Sequence, residues 1–229
     1  MIDFHCHILC GIDDGAASLA ESEKMLAELK RQGVSQVVAT PHFVAEYMKI
    51  DDFINMRDEA LLKAENISDI SIVPGAEVLL VPELLKADNI ERLCIGNSRV
   101  MLIEMPFSPW QKWMFDFIGH IRSEGIVPLF AHMERYFEGG TFKYQKLFEN
   151  EKEAYMQFNA EVFLSWFGRS IVKKLLSIEG VMPVLGSDAH NMNGRKPCID
   201  KAEKIILKKF DGLYEKMKHN AAHLLSGNC

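Results

Sequence analysis

The sequence predicts an α/β fold, and three observations lead there. Short apolar or β-branched runs recur along the chain, most are followed by a helical pattern, and the alternation repeats about seven times with no linker or low-complexity segment. Many of the runs are apolar almost throughout, as in strands buried on both faces of a parallel sheet. Such alternation builds a barrel or an open doubly wound sheet. No glycine-rich nucleotide fingerprint follows any strand, so a barrel is expected.

The strand-like runs are Ile2–Cys6, Val34–Thr40, Ile70–Val78, Arg99–Met105, Ile126–His132, Ala154–Ala160 and Val181–Gly186. After the first, "SLAESEKMLAELKRQG" reads as a helix with a capping box from Ser18 and Glu21. Met25, Leu26 and Leu29 form its apolar stripe, and Gly33 closes it. "DDFINMRDEALLKAE" opens with acids, which suit a helix N-terminus, and carries Phe53, Met56, Ala60 and Leu61 on one face. "SPWQKWMFDFIGHIRSEG" and "SWFGRSIVKKLLSIEG" repeat the scheme, each closing near a glycine. Pro197 fits the first turn of a last long helical region.

At 229 residues the chain buries a substantial core, and one domain over 1–229 is the simplest organisation. A hydrophobic content of 48% and a charged content of 25% are ordinary for a globular protein. The net charge of −6, with basic residues scattered, argues against nucleic acid as a partner. No apolar run approaches the roughly 18–20 residues that span a bilayer, and no basic stretch leads into an apolar one as in a secretory signal. Cys6, Cys10, Cys94, Cys198 and Cys229 are odd in number and lack a framework spacing, which suits free thiols in a reducing, cytoplasmic setting.

The polar residues carry the functional signal. His5 and His7, at i and i+2, share one side of the first strand, and Asp14 follows in its loop. His42 sits just past the second run, Glu77 in "IVPGAEV", Glu104 in "VMLIEMPF", His132 in "VPLFAHMERY", and Asp188 with His190 in "VLGSDAH". Almost every apolar run thus ends in His, Asp or Glu, and in an α/β barrel those ends converge on the face that carries active sites. One histidine at a strand end has a plain structural reading. Nine such groups together do not, because burying so many acids without a cation is costly. His120, His219 and His223 lie off the pattern and read as surface or packing residues.

Together, "DFHCHILCGIDDG", "TPHF", "GAEV", "LIEMPF", "AHMERY" and "SDAHN" resemble the PHP (polymerase and histidinol phosphatase) superfamily. The likeness is to its bacterial tyrosine-phosphatase branch, associated with capsular and exopolysaccharide synthesis, and runs from residue 3 to residue 195. The resemblance implies a distorted (β/α)7 TIM-like barrel with its metal site at the C-terminal ends of the strands. It implies three divalent ions, usually manganese. His5, His7, Glu77 and Asp188 would hold the first; Glu77 would bridge to a second completed by Glu104 and His132; Asp14, His42 and His190 would hold the third. Cys10 stands where this branch often has proline, at a position that is not a ligand. Mixed imidazole and carboxylate donors suit Mn, Zn or Fe better than Ca or Mg.

The expected chemistry is direct hydrolysis of a phosphomonoester by a metal-bound hydroxide. Arg135 in "HMERY" and Arg195 in "SDAHNMNGR" would complete a phosphate cradle, since a guanidinium binds phosphate bidentately. Phe107, Trp110, Tyr136 and Phe137 are candidates for an apolar lip around a tyrosyl ring, with Trp113 assigned to the core. A cysteine phosphatase would need an arginine six residues after its thiol. Residue 12 is Ile, and Arg99 falls one place too early after Cys94.

The leading expectation is therefore a protein-tyrosine phosphatase acting on the tail of a polysaccharide-synthesis tyrosine kinase. The alternatives are a histidinol-phosphatase or other small phosphomonoesterase, and a metal-binding regulatory domain without turnover.

Overall fold

The computed structural model describes residues 1–138, 141–144, 148 and 153–227; Cys229 lies outside them. In chain order, β1 (Ile2–Cys6) is followed by α1 (Leu19–Arg31), β2 (Gln36–Ala39), β3 (His42–Phe43), α2 (Ile50–Glu65), β4 (Ser71–Pro74) and β5 (Glu77–Leu79). Next come β6 (Val100–Glu104), α3 (Lys112–Ser123), β7 (Val127–Phe130), and a short antiparallel hairpin of β8 (Phe137–Glu138) and β9 (Thr141–Phe142). β10 (Ala154–Asn159), α4 (Trp166–Leu176), β11 (Val181–Gly186), α5 (Ile199–Lys209) and α6 (Leu213–Leu225) complete the described elements.

Among the described residues, all pairings outside the hairpin are parallel. β1, β2 and β4 form one ladder; β3, β5, β6, β7, β10 and β11 form a second, in that order. The two ladders are continuous through the chain, because β2 runs on into β3 past Thr40–Pro41 and β4 into β5 past Gly75–Ala76. β11 meets β1 by a single bridge, Cys6 with Ala189. His7 N–H donates to Ala189 O at 2.9 Å, and Asp188 N–H donates to His5 O at 2.7 Å. Tracing the neighbours from β1 therefore returns to β1, with one joint much narrower than the rest. Because every strand in that circuit runs the same way, all their carboxyl ends lie on one side.

The helices form where the periodicity places them. Ser18 caps α1, its side chain accepting from Glu21 N–H, while Glu21 Oε2 accepts from Ala17 N–H rather than from Ser18. α1 buries Met25, Leu26 and Leu29; α3 buries Met114, Phe117, Ile118 and Ile121; α4 buries Ile171, Val172 and Leu175. Each such side chain removed from water contributes about 1.5–3 kcal/mol.

Four sequence expectations need correction. Ile70–Val78 is two strands in different ladders, because the chain turns at Gly75–Ala76. On α2 the buried face is Phe53, Ile54, Arg57, Ala60 and Ala64, and Met56 is exposed. The last helical region is two helices broken at Gly212, whose φ of 66° is left-handed. Pro197 precedes the N-cap residue Cys198 rather than lying in the first turn of α5.

Candidate metal centre

β1 delivers the first two imidazoles. A strand alternates its faces, so Asp3, His5 and His7 all point one way, and all three are fully buried. The approach is so close that glycine is required opposite: a Cβ on Gly186 would lie 2.7 Å from the Cβ of His5. Glu77 opens β5, Glu104 closes β6, and His42 opens β3. His132 follows β7 with φ 32°, and Asp188 follows β11 with φ 53°. Left-handed backbone is uncommon for residues with a Cβ, and two of the three described cases fall at this site.

The side chains converge. His5 Nε2 and His7 Nε2 are 3.0 Å apart, and Glu77 Oε2 lies 3.0 Å from the first and 3.2 Å from the second. Asp188 Oδ1 is 3.6 Å from both nitrogens. Two imidazole nitrogens facing each other at that distance share at most one proton, so the group is not satisfied as a hydrogen-bond network alone. It offers lone pairs to a common point, which fits a cation.

Two further groups adjoin it. Donor atoms of His7, Asp14, His42 and His190 lie within 4.8 Å of one another, as do those of His42, Glu77 and Glu104. His132 Nε2 lies 2.7 Å from Glu77 Oε1 and 3.5 Å from Glu104 Oε1. All nine groups singled out in the sequence thus meet in one bowl, with Glu77 at its centre. The bowl grades from a buried floor of His5, His7, Glu77 and His132 to Asp14 at the rim, 65% exposed.

Electrostatics follow from this packing. Burial opposes ionisation of Glu77, but His5 and the bonds from His132, His5 and His7 outweigh it and hold the carboxyl well below the usual range. Burial and the neighbouring Glu77 push Glu104 up to about 7. Burial together with His7 and Arg195 takes His190 down to about 4. Burial disfavours charge on His7 as well, yet Asp13 and Glu77 raise it to about 10.

Both arginines lie at Asp188. Arg135 Nη2 donates to its Oδ2, and Arg195 Nη2 donates to its Oδ1 at 3.0 Å. Arg195 Nη1 also lies 3.6 Å from Asp14 Oδ2.

A shell of supporting residues escaped the sequence analysis. Asp13 Oδ2 accepts from His7 Nδ1 at 2.7 Å and from His42 N–H at 2.9 Å, which helps hold Asp13 at about 2 against burial. Gln157 Oε1 lies 3.0 Å from His5 Nδ1 and accepts from His132 N–H at 2.7 Å. Asn159 Nδ2 donates to Asp188 Oδ2 at 2.8 Å, and Asp3 Oδ1 accepts from Ser187 N–H at 2.7 Å. The signal was present: Asp3 shares the face of His5 and His7, and Gln157 and Asn159 alternate inside an otherwise apolar run.

The aromatic lip needs revision. Tyr136 is fully buried, its hydroxyl donating to Met105 O at 2.6 Å, so it is a core residue. Phe137 is half-buried against the core, and Phe107 is exposed with its ring 5.4 Å from that of Tyr136. Three of the cysteines make poor nucleophiles: burial pushes the Cys6 thiol well up and those of Cys94 and Cys198 to about 11.

Residues 1–226 match the family model described as "Capsular polysaccharide synthesis, CpsB/CapC". The tyrosine-protein phosphatase CpsB of Streptococcus pneumoniae is 31% identical, over 92% of this chain and 91% of its own. The tyrosine-protein phosphatase YwqE of Bacillus subtilis (strain 168) is 28% identical, over 100% of this chain and 92% of its own. A structure solved in work on YwqE from Bacillus subtilis and CpsB from Streptococcus pneumoniae, described there as unique metal-dependent tyrosine phosphatases, superposes with a TM-score of 0.81. It is 26% identical and covers 99% of this chain and 95% of its own. An organophosphorus hydrolase variant is 12% identical with a TM-score of 0.59, over 97% of this chain and 92% of its own, a likeness of fold alone.

Proposed function

Because the chain belongs to the CpsB/CapC family of capsular polysaccharide synthesis, we propose that it is a metal-dependent protein-tyrosine phosphatase. It hydrolyses phosphotyrosine on a protein, and the tail of the tyrosine kinase that controls capsular or exopolysaccharide synthesis is the substrate we assign. One observation carries the reading: the imidazole nitrogens of His5 and His7 and the carboxylates of Glu77 and Asp188 aim their lone pairs at one point, with two guanidinium groups at the edge.

His5, His7, Glu77 and Asp188 would hold one divalent ion, Glu77, Glu104 and His132 a second, and Asp14, His42 and His190 a third. The donor set favours manganese, with iron or zinc as the other candidates. When bound, such ions acidify water and neutralise charge on a phosphoryl group. The chain's own contribution begins with Asp13 and Gln157, which fix the ring orientations of His7 and His5 through their Nδ1 atoms. Arg135 and Arg195 bind the phosphoryl oxygens, each sharing its guanidinium with Asp188 and so arriving already oriented. A tyrosyl leaving group, with a pKa of about 10, departs without strong proton donation.

No helix among the described residues is long and apolar enough to cross a membrane. We place the protein in the cytoplasm as one domain over residues 1–229, meeting its kinase substrate at the inner membrane surface.

The deciding experiment assays a phosphotyrosine peptide and histidinol phosphate side by side, with EDTA and with added Mn. Mn-dependent turnover favouring the peptide is expected. Preference for histidinol phosphate would move the protein to small-molecule metabolism, and turnover of neither substrate would leave a metal-binding regulatory domain.

A further inference from the structure

Beside the bowl, sharing Asp188 and the two arginines with it, lies a cavity of about 140 Å³ whose charged lining is Arg135, Arg195, Lys196 and Lys201 with Asp188 and Glu161. At about 30 Å³ per water it has room for four or five waters, the scale of a carboxylate or phosphoryl head group. The two arginines already neutralise Asp188. Lys196 and Lys201 are exposed and form no close ion pair among the described residues, so their charge is available to a ligand. The whole protein carries a net charge of −6, so a basic pocket beside the centre is a local exception rather than part of a general basic surface.

We propose that this cavity is a second anion subsite, which takes an acidic side chain of the peptide carrying the scissile phosphotyrosine. Arg135 and Arg195 are common to both sites, so an extended peptide with its phosphate at the arginines places a neighbouring residue between Lys196 and Lys201. The inference rests on the phosphatase reading and deepens it: the preferred substrate is a phosphotyrosine peptide with an acidic neighbouring residue. Lys196 and Lys201 determine specificity and do not touch the reacting atoms.

The test compares kcat/KM of the Mn-loaded protein on phosphotyrosine peptides whose flanking residues are acidic, neutral or basic, with p-nitrophenyl phosphate as a substrate too small to reach the cavity. The acidic peptide should be preferred by about tenfold over the neutral one, two exposed ion contacts giving roughly threefold each. The preference should appear in KM and fade with added salt. In the Lys196→Gln, Lys201→Gln double variant it should disappear, and Lys201→Glu should favour the basic peptide. A wild-type protein that turns over p-nitrophenyl phosphate but treats the three peptides alike overturns the subsite and leaves the phosphatase reading standing. A preference that survives in both lysine variants places the recognition elsewhere. Failure to turn over any aryl phosphate overturns both readings together.

Discussion

His7 donates its Nδ1–H to Asp13 Oδ2 at 2.7 Å, and that bond turns the other ring nitrogen towards Glu77 and Asp188. Asp13 is therefore a positioning residue. Replacing Asp13 with Asn should weaken divalent binding by about 10–100-fold, in line with other carboxylates that orient metal-ligating histidines. Calorimetric titration of the metal-free protein with Mn measures the loss directly. Activity should recover at saturating Mn, which a change to a residue that touches substrate would not permit.

Metal removal is expected to abolish turnover, and added Mn to restore it. His132 contacts both Glu77 and Glu104, so His132→Ala should cost about a thousandfold in kcat/KM, roughly 4 kcal/mol at 1.36 kcal/mol per decade. Near-wild-type activity of this variant in EDTA-treated buffer would contradict the proposed centre. A thermal melt run in parallel separates lost chemistry from lost folding.

Arg135 should not tolerate lysine. Its guanidinium reaches Asp188 and the edge of the bowl at once, whereas an ammonium is a point charge without the planar fork. Arg135→Ala should lower kcat/KM on p-nitrophenyl phosphate by about 10–100-fold, from the roughly 1.5–3 kcal/mol of a charged hydrogen bond. Lysine should recover only part of that loss.

A pH effect on stability is expected at Glu28, far from the centre. Its carboxylate accepts from Arg31 and from Gln32, and Gln32 in turn donates to Pro197 O, tying α1 to the segment before α5. The Arg31 bond takes Glu28 down from 4.5 to about 2. A carboxyl depressed on folding contributes stability above its unfolded value, and that contribution is lost as the pH falls from about 4.5 towards 2. Arg31 is exposed, so the effect is under about 1 kcal/mol. Urea midpoints of the metal-free wild type and Glu28→Gln should differ at pH 7 and draw together below about pH 4.5.

Gly186→Ala should destabilise the fold by about 1–3 kcal/mol, the usual range for overpacking a closed site. The new methyl would meet His5 Cβ at 2.7 Å and Gln157 Nε2 at 2.8 Å. Because both belong to the centre, Mn affinity should fall alongside the urea midpoint.

Much of this protein was legible before folding was considered. A strand buried on both faces must be apolar, so Ile2–Cys6 and Val181–Gly186 stand out, and the structure keeps both bounds. An ionisable group at the end of such a strand is an exception that needs a reason, which is why His5, Glu77, His132 and Asp188 were visible one at a time. The motif series then gave the family.

Tertiary structure decided what depends on neighbours distant in the chain. The sequence pattern presents Ile70–Val78 as one apolar run, and only the partners on either side determine that it bends from one ladder into the other. Tyr136 reads as a rim residue because it follows Arg135, yet a short 3-10 turn sends its ring into the core, where Met105 O takes its hydroxyl. Asp13, Gln157 and Asn159 are unremarkable polar residues until folding brings them against His7, His5 and Asp188, at separations of 6, 152 and 29 residues. Local pattern reports what each residue must bury, while a coordination shell and a cavity such as the one at Lys196 and Lys201 are relations among surfaces that exist only once the circuit of strands has closed.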